Sequence, residues 1–181
     1  MMRKPKYILP YQAAAIFETV VDGKQVLEVI GNGNSLYMDM TLKQCIACNE
    51  HYYGTNLNIS KRLMKDIIGT SHAAPYIFGD MIWVPLATQN RADTIFVALH
   101  HLKGIEKDEH KQIVIVLTGG IRIRLKMTRA SVILRFGAAS ILKILMDFRK
   151  NLKSNPNTSQ DPPCEIVKEE GNVYFTRKRK K

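Results

Sequence analysis

Apolar β-formers cluster in short runs from Ala15 to Met38, broken by Gly-containing polar turns, and apolar residues then recur at helical spacing in three later stretches, a pattern that predicts a mixed fold. Ala15 to Val21 reads as a strand, Asp22-Gly23 as a hairpin turn, and Gln25 to Ile30 as the antiparallel return. Gly31-Asn32-Gly33-Asn34 makes the next turn, before a short strand at Leu36-Tyr37-Met38. Thr41 to Tyr53 is predicted helical, with Thr41 as cap and Gly54 as stop, and Ser60 is expected to cap a second helix, Lys61 to Ile68, ended by Gly69. Pro75 and Pro85 bracket a strand at Met81 to Val84, Thr94 to Leu102 is another, and Lys103 to His110 reads as a charged loop.

Gln112 to Met127 carries the clearest pattern: two apolar strands flanking Gly119-Gly120. On the second strand Arg122, Arg124 and Lys126 alternate with Ile121, Ile123, Leu125 and Met127, so period two puts the three cations on one face. A two-residue turn would set them opposite Leu117, Ile115 and Ile113, whose aliphatic surface can support the cation stems. Thr128 then caps a long helix, Arg129 to about Leu152, whose polar stripe of Ser140, Lys143, Asp147 and Lys150 is narrow. So apolar a helix needs cover on more than one side, and a dimer interface through Leu142 and Leu145 would supply it. The fold class expected is α+β: an antiparallel β-sheet with helices packed on one side and a long C-terminal helix.

A chain of 181 residues fits one domain, placed at 7–153, with a basic tail at 154–181. The tail opens on Ser-Asn-Pro-Asn-Thr-Ser-Gln-Asp-Pro-Pro, a linker composition; a marginal hairpin about Gly171 follows, then five cations from Arg177 to Lys181. No apolar run is long enough to span a membrane, and no apolar core follows the basic start Met1 to Lys6 as a signal peptide would require. Three cysteines are too few for a disulfide framework, so a reduced, cytoplasmic protein is expected.

Charge sharpens the picture. Lys and Arg number 27 against 16 Asp and Glu, a net of +11, and the excess gathers in residues 101–153, where twelve basic groups face four acidic ones. Between Glu109 and Asp147 no acid occurs at all. A block of one sign this long points to a polyanion, nucleic acid before an anionic membrane surface. The candidate contact residues are Arg122, Arg124, Lys126 and Arg129, with Lys61, Arg62 and Lys65 as a second cluster, placed near a helix start where a phosphate would relieve the mismatch with the helix dipole.

Other chemistry is poorly supported. Cys45-x-x-Cys48-x-x-His51 lacks the second ligand pair of a zinc site and sits mid-helix, so buried packing is the expected role and no metal or cofactor is anticipated. Ser71-His72 and His100-His101 have no third partner, and adjacent strand residues such as His100 and His101 would face opposite sides. Neither a phosphate-binding loop nor a paired acidic site stands in the basic half, which argues against an enzyme. A peripheral membrane or scaffold protein using helix 129–152 as an anchor is the alternative, though its apolar coverage is wide for an interfacial helix. An RNA-binding module lacks exposed aromatic stacking pairs on the basic strand.

Several landmarks fall in one register: Tyr53-Gly54, Gly69, Ser71-His72 and Pro75, then Ile82-Trp83-Val84-Pro85, Ile95 to His100, and Thr118-Gly119-Gly120. Together, over about residues 8–150, they resemble the competence transcription factor family, ComK. Ala73-Ala74 stands where the family has Lys-Pro, and Cys48 is displaced by two residues. The resemblance implies a bacterial, nucleoid-associated activator of DNA-uptake genes that binds paired A/T-rich boxes of double-stranded DNA through the minor groove. It implies a homodimer, or a tetramer of paired dimers, with RNA polymerase as a further partner. The segment from Ser154 does not resemble the short apolar-aromatic-Pro stretch through which a protease adaptor recognises the family. An arginine ribbon suits that groove, and a major-groove recognition helix is not evident.

Overall fold

The computed structural model describes residues 7–69, 73–86, 94–154, 164–169 and 172–177. Its architecture is α+β, with antiparallel sheets and three α-helices among the described residues. Two compact units divide at Lys143/Ile144.

In the first unit, β1 (Ala13–Val21), β2 (Lys24–Gly31) and β3 (Asn34–Met38) form a meander. Both of its turns use two residues at positive φ, Asp22-Gly23 and Asn32-Gly33, the geometry that matches the twist of the flanking strands. Next comes α1 (Leu42–Tyr53), closed at its start by a capping box between Thr41 and Gln44 and at its end by left-handed Gly54. The second helix, α2 (Leu57–Ile68), begins one turn earlier than the sequence suggests. Its cap is Asn56, whose side chain accepts from the Ile59 amide, while Ser60 is buried inside the helix.

Two strands occupy the Pro75–Pro85 region, β4 (Tyr76–Phe78) and β5 (Met81–Leu86), and Pro85 lies inside β5 instead of ending it. With β6 (Ile95–Ala98) they complete a six-stranded sheet in the order β3-β2-β1-β6-β5-β4. α1 packs on β1 and β4, and α2 on β4. The core here is Leu9, Ile16, Leu27, Phe78, Trp83 and Phe96 with their neighbours.

The apolar run from Thr94 is not one strand. It breaks after Ala98 into a single 3-10 turn, Leu99–His101, and resumes as β7 (Leu102–Lys107), the segment expected as a charged loop. β7, β8 (Ile113–Leu117) and β9 (Arg122–Leu125) form a second antiparallel sheet in that order. The 3-10 turn makes His100 and His101 act together, against the expectation of opposite faces: both Nε2 atoms lie 2.8 Å from the Tyr11 carbonyl. His101 Nδ1 also meets Thr118 Oγ1 in the β8–β9 loop, so one buried imidazole ties the N-terminal segment to the second sheet. The β2–β3 and β8–β9 turns touch as well. A Cβ on Gly119 would sit 3.4 Å from the Gly33 nitrogen, an approach that small residues allow.

Thr128 caps α3 (Arg129–Ser154) through a hydrogen bond from the Ser131 amide, as expected. In the second unit β10 (Cys164–Glu169) and β11 (Asn172–Arg177) pair antiparallel, in line with the hairpin read about Gly171. Residues 155–163, read as a linker, and 178–181, most of the terminal basic run, lie outside the described residues. Among the described residues no helix is long and apolar enough to cross a membrane.

Candidate nucleic-acid interface

Alternation on β9 buries Ile123 and Leu125 and leaves Arg122 and Arg124 exposed. The register differs from the expected one by a residue. Leu117 N donates to Ile121 O, so the connection is the three-residue loop Thr118-Gly119-Gly120, with Gly119 and Gly120 both at positive φ. Arg122 therefore pairs with Val116, which is half-buried, and Arg124 with Val114, which is buried like Ile113, Ile115 and Leu117. The cations stand over a strip of valine instead of Leu117, Ile115 and Ile113, and the aliphatic support is kept.

Pairing of β7 with β8 adds what the local sequence hides. Glu106 lies across Val114 in the same row as Arg124, and Gly104 across Val116 in the row of Arg122. Arg122 Nη2 reaches Glu106 Oε2 at 2.8 Å, and both side chains are about half exposed. Arg124 Nε lies 2.9 Å from Asp108 Oδ2, off the line of a hydrogen bond. Asp108 Oδ1 accepts from the amides of His110 and Gln112, which closes the β7–β8 turn. Although loss of solvent works in the opposite sense, the Gln112 amide, the Arg124 guanidinium and the His110 amide hold the Asp108 carboxyl below the ordinary range. The ribbon free of acid in the chain thus has two acids beside it in the sheet.

Lys126 and Arg129 follow β9, both exposed, at the start of α3, whose first turn holds no acid. Lys61, Arg62 and Lys65 form a separate exposed cluster on α2. Since that helix starts at Leu57, the three are not at its N-terminus, and Lys65 lies in its last turn, where the helix dipole favours a cation. Arg135 leaves the basic set: it is half-buried and donates from Nη1 to the Pro85 carbonyl at 2.6 Å.

On α3, Leu142 is buried in the chain's own core, 1% exposed, together with Val132, Phe136 and Ala139. Leu145 is half-buried. Exposed apolar side chains on this helix are instead Ile133, Leu134, Ile141, Ile144 and Phe148.

Cys45 is buried and its thiol is pushed up to about 12, by burial first and by Cys48 second. Among the described residues no cluster of His, Cys, Asp or Glu could hold a metal ion. A groove of about 760 Å³ between α1, α2 and the large sheet contains Glu18 and Glu50, but each already accepts a backbone amide, from Leu42 and Leu57. Asn49, wholly buried, accepts from the Leu9 amide and donates to the Tyr7 and Cys45 carbonyls, so it pins the N-terminal segment to α1. Nothing in the local sequence pattern marks it.

Comparison with curated proteins and with solved structures finds no match. A protein-family model, described as ComK protein, matches residues 4–151.

Proposed function

The chain belongs to the ComK protein family, the competence transcription factors, and from that premise we propose that it activates DNA-uptake genes by binding A/T-rich double-stranded DNA through the minor groove, as a dimer or a pair of dimers. The observation that carries the reading is the exposed row of Arg122 and Arg124 over Val114 and Val116, continued by Lys126 and Arg129. An A-tract minor groove is narrow and strongly negative, and it attracts guanidinium groups, which are more weakly hydrated than ammonium. A short strand carrying two arginines on a valine base can bring them to the groove floor with their own aliphatic stems against the sugars. Surface ion pairs such as Arg122–Glu106 contribute only about 0–1 kcal/mol, so exchanging the carboxylate for DNA phosphate or base acceptors is inexpensive.

Lys61, Arg62 and Lys65 fit phosphate contacts on flanking DNA, and RNA polymerase is the partner an activator would recruit. The second apolar face of α3 supports self-association. In place of Leu142, we assign the dimer surface to Leu134 and Ile141, with Ile133 beside them.

Gel shift with a minor-groove drug as competitor tests the mode. Affinity should be higher for A/T than for G/C duplex at each salt concentration, and log K should fall by about 0.9 per phosphate neutralised for each tenfold rise in salt. The drug should displace the protein. Interference from major-groove methylation alone, without drug competition, would refute a minor-groove mode.

A further inference from the structure

We propose that the two acids beside the ribbon have different jobs: Asp108 is a positioning residue that aims Arg124, and Glu106 is an exchangeable counterion that restrains Arg122. The inference rests on β9 being the DNA face and assigns its control to residues of β7 and the turn after it.

Asp108 is built into its place. Its side chain is only 12% exposed, and Oδ1 is fixed by the amides of His110 and Gln112 at 2.9 and 2.8 Å. Its backbone amide donates to Gln112 O and its carbonyl accepts from Lys111, which takes a positive φ to close the turn. Oδ2 is sealed from solvent, and among the described residues it has no hydrogen-bond partner. The Nε of Arg124 is the cation it faces, at 2.9 Å. A carboxylate held this rigidly anchors the near end of the guanidinium by charge, without a hydrogen bond. Four N–H donors on Nη1 and Nη2 remain for acceptors on a groove floor. A long arginine chain ordered before binding loses less conformational freedom on binding. The low pKa direction of Asp108 agrees with an anion kept ionised across the neutral range.

Glu106 has none of this support. It is about half exposed, it pairs with Arg122 Nη2, and water can replace it at once. Its neighbour in the Arg122 row, Gly104, has no side chain, and a Cβ there would meet nothing within 4 Å, so this part of the face is open to a ligand.

The two roles predict opposite signs for what is nominally the same change, the loss of one negative charge. Glu106→Gln should tighten binding to A/T and G/C duplexes alike, by about two- to fivefold at low salt, because a competing charge is gone. Asp108→Asn keeps the Oδ1 acceptor that the turn needs and turns an N–H toward Arg124. It should weaken A/T binding by about five- to tenfold while leaving G/C binding equal or tighter, since one groove contact is misaimed. In the Arg124→Ala background, Asp108→Asn should cause no further loss of A/T preference.

The experiment is a fluorescence-anisotropy titration of these variants of the full chain on both duplexes, with thermal melts alongside. If Asp108→Asn tightens both duplexes as Glu106→Gln does, Asp108 is a bystander and the inference fails. Should Arg124→Ala itself leave A/T binding unchanged, the β9 reading fails first. If Asp108→Asn does not fold, Asp108→Ser decides. Its hydroxyl can still accept from the turn amides but carries no charge toward Arg124, so A/T preference should fall, and full retention of the preference overturns the inference.

Discussion

Substitutions at Leu134 and Leu142 should have opposite consequences, although the two residues are alike in chemistry and eight positions apart on α3. At about 100° per residue, Val132, Phe136, Ala139 and Leu142 lie on one side of the helix and Leu134 and Ile141 on the other. Leu142 is 1% exposed and Leu134 67% exposed. Leu142→Ala therefore empties core volume and should cost about 2–5 kcal/mol of folding stability without changing the dimer constant of the folded fraction. Leu134→Lys should shift stability by less than about 0.5 kcal/mol, as surface changes do. Its effect on association follows from the area still open. Burying a whole leucine stabilises by about 1.5–3 kcal/mol, so the exposed two-thirds is worth about 1–2 kcal/mol. In a two-fold dimer each copy contributes once, giving about 2–4 kcal/mol, or a dimer constant weaker by about 30- to 700-fold. Gly137, between Leu134 and Ile141, leaves open space where a partner helix can come close. Sedimentation equilibrium over a micromolar range, with urea melts of both variants, reads the two effects separately. A wild-type chain that stays monomeric at high micromolar concentration, or Leu134→Lys associating like wild type, would refute the reasoning.

Three further outcomes are expected. Burial lowers the pKa of His100, helped by His101 and Lys143 and opposed by the Tyr11 carbonyl, so the unfolded chain binds the proton more readily. The stability this contributes is complete above the unfolded value of about 6.5 and is lost as pH falls through the folded value; urea midpoints at pH 7.5, 6.5 and 5.5 should decline, and His100→Gln should flatten that decline. Asn49→Ala strands the Leu9 amide and the Tyr7 carbonyl and should cost about 2–5 kcal/mol, with faster hydrogen exchange at Leu9; an unchanged exchange rate would mean the segment is held otherwise. Cys45, with its thiol near 12 and no solvent contact, should resist iodoacetamide at pH 8 until the protein unfolds, and labelling of native protein located by peptide mass spectrometry would contradict this.

Much of the fold was legible where single residues punctuate it. Asp22-Gly23, the Thr41 cap, Gly54 and Thr128 each satisfy a local geometric demand, and each stands where expected. Failures occurred where a choice depended on distant chain. Asn56 and Ser60 are both plausible caps one turn apart, and packing decided by burying Ser60 and Met64 along one face of α2. Lys103, Glu106 and Lys107 make β7 look like a loop, because the strand lies at a sheet edge and exposes charges that its pairing with β8 alone organises. The exposure of Arg122 and Arg124 followed from alternation, but the acids beside them come from across β8 and are invisible to any local window. Likewise the apolar width of α3 was readable, while the choice between Leu142 and Leu134 as the inward face required the rest of the core.

The central claim is that DNA meets the β9 ribbon, and the most direct test compares two sets of substitutions on one A/T-rich duplex at one salt concentration. Arg122→Ala with Arg124→Ala removes the ribbon, and Lys61→Ala, Arg62→Ala and Lys65→Ala together remove the α2 cluster. If each groove arginine is worth about 1–3 kcal/mol, the double variant should lose about 30-fold or more and most of its preference for A/T over G/C. The triple variant should weaken both duplexes equally and reduce the salt slope, as loss of phosphate contacts does. The account is contradicted if the double variant binds A/T duplex like wild type while the triple variant abolishes the preference.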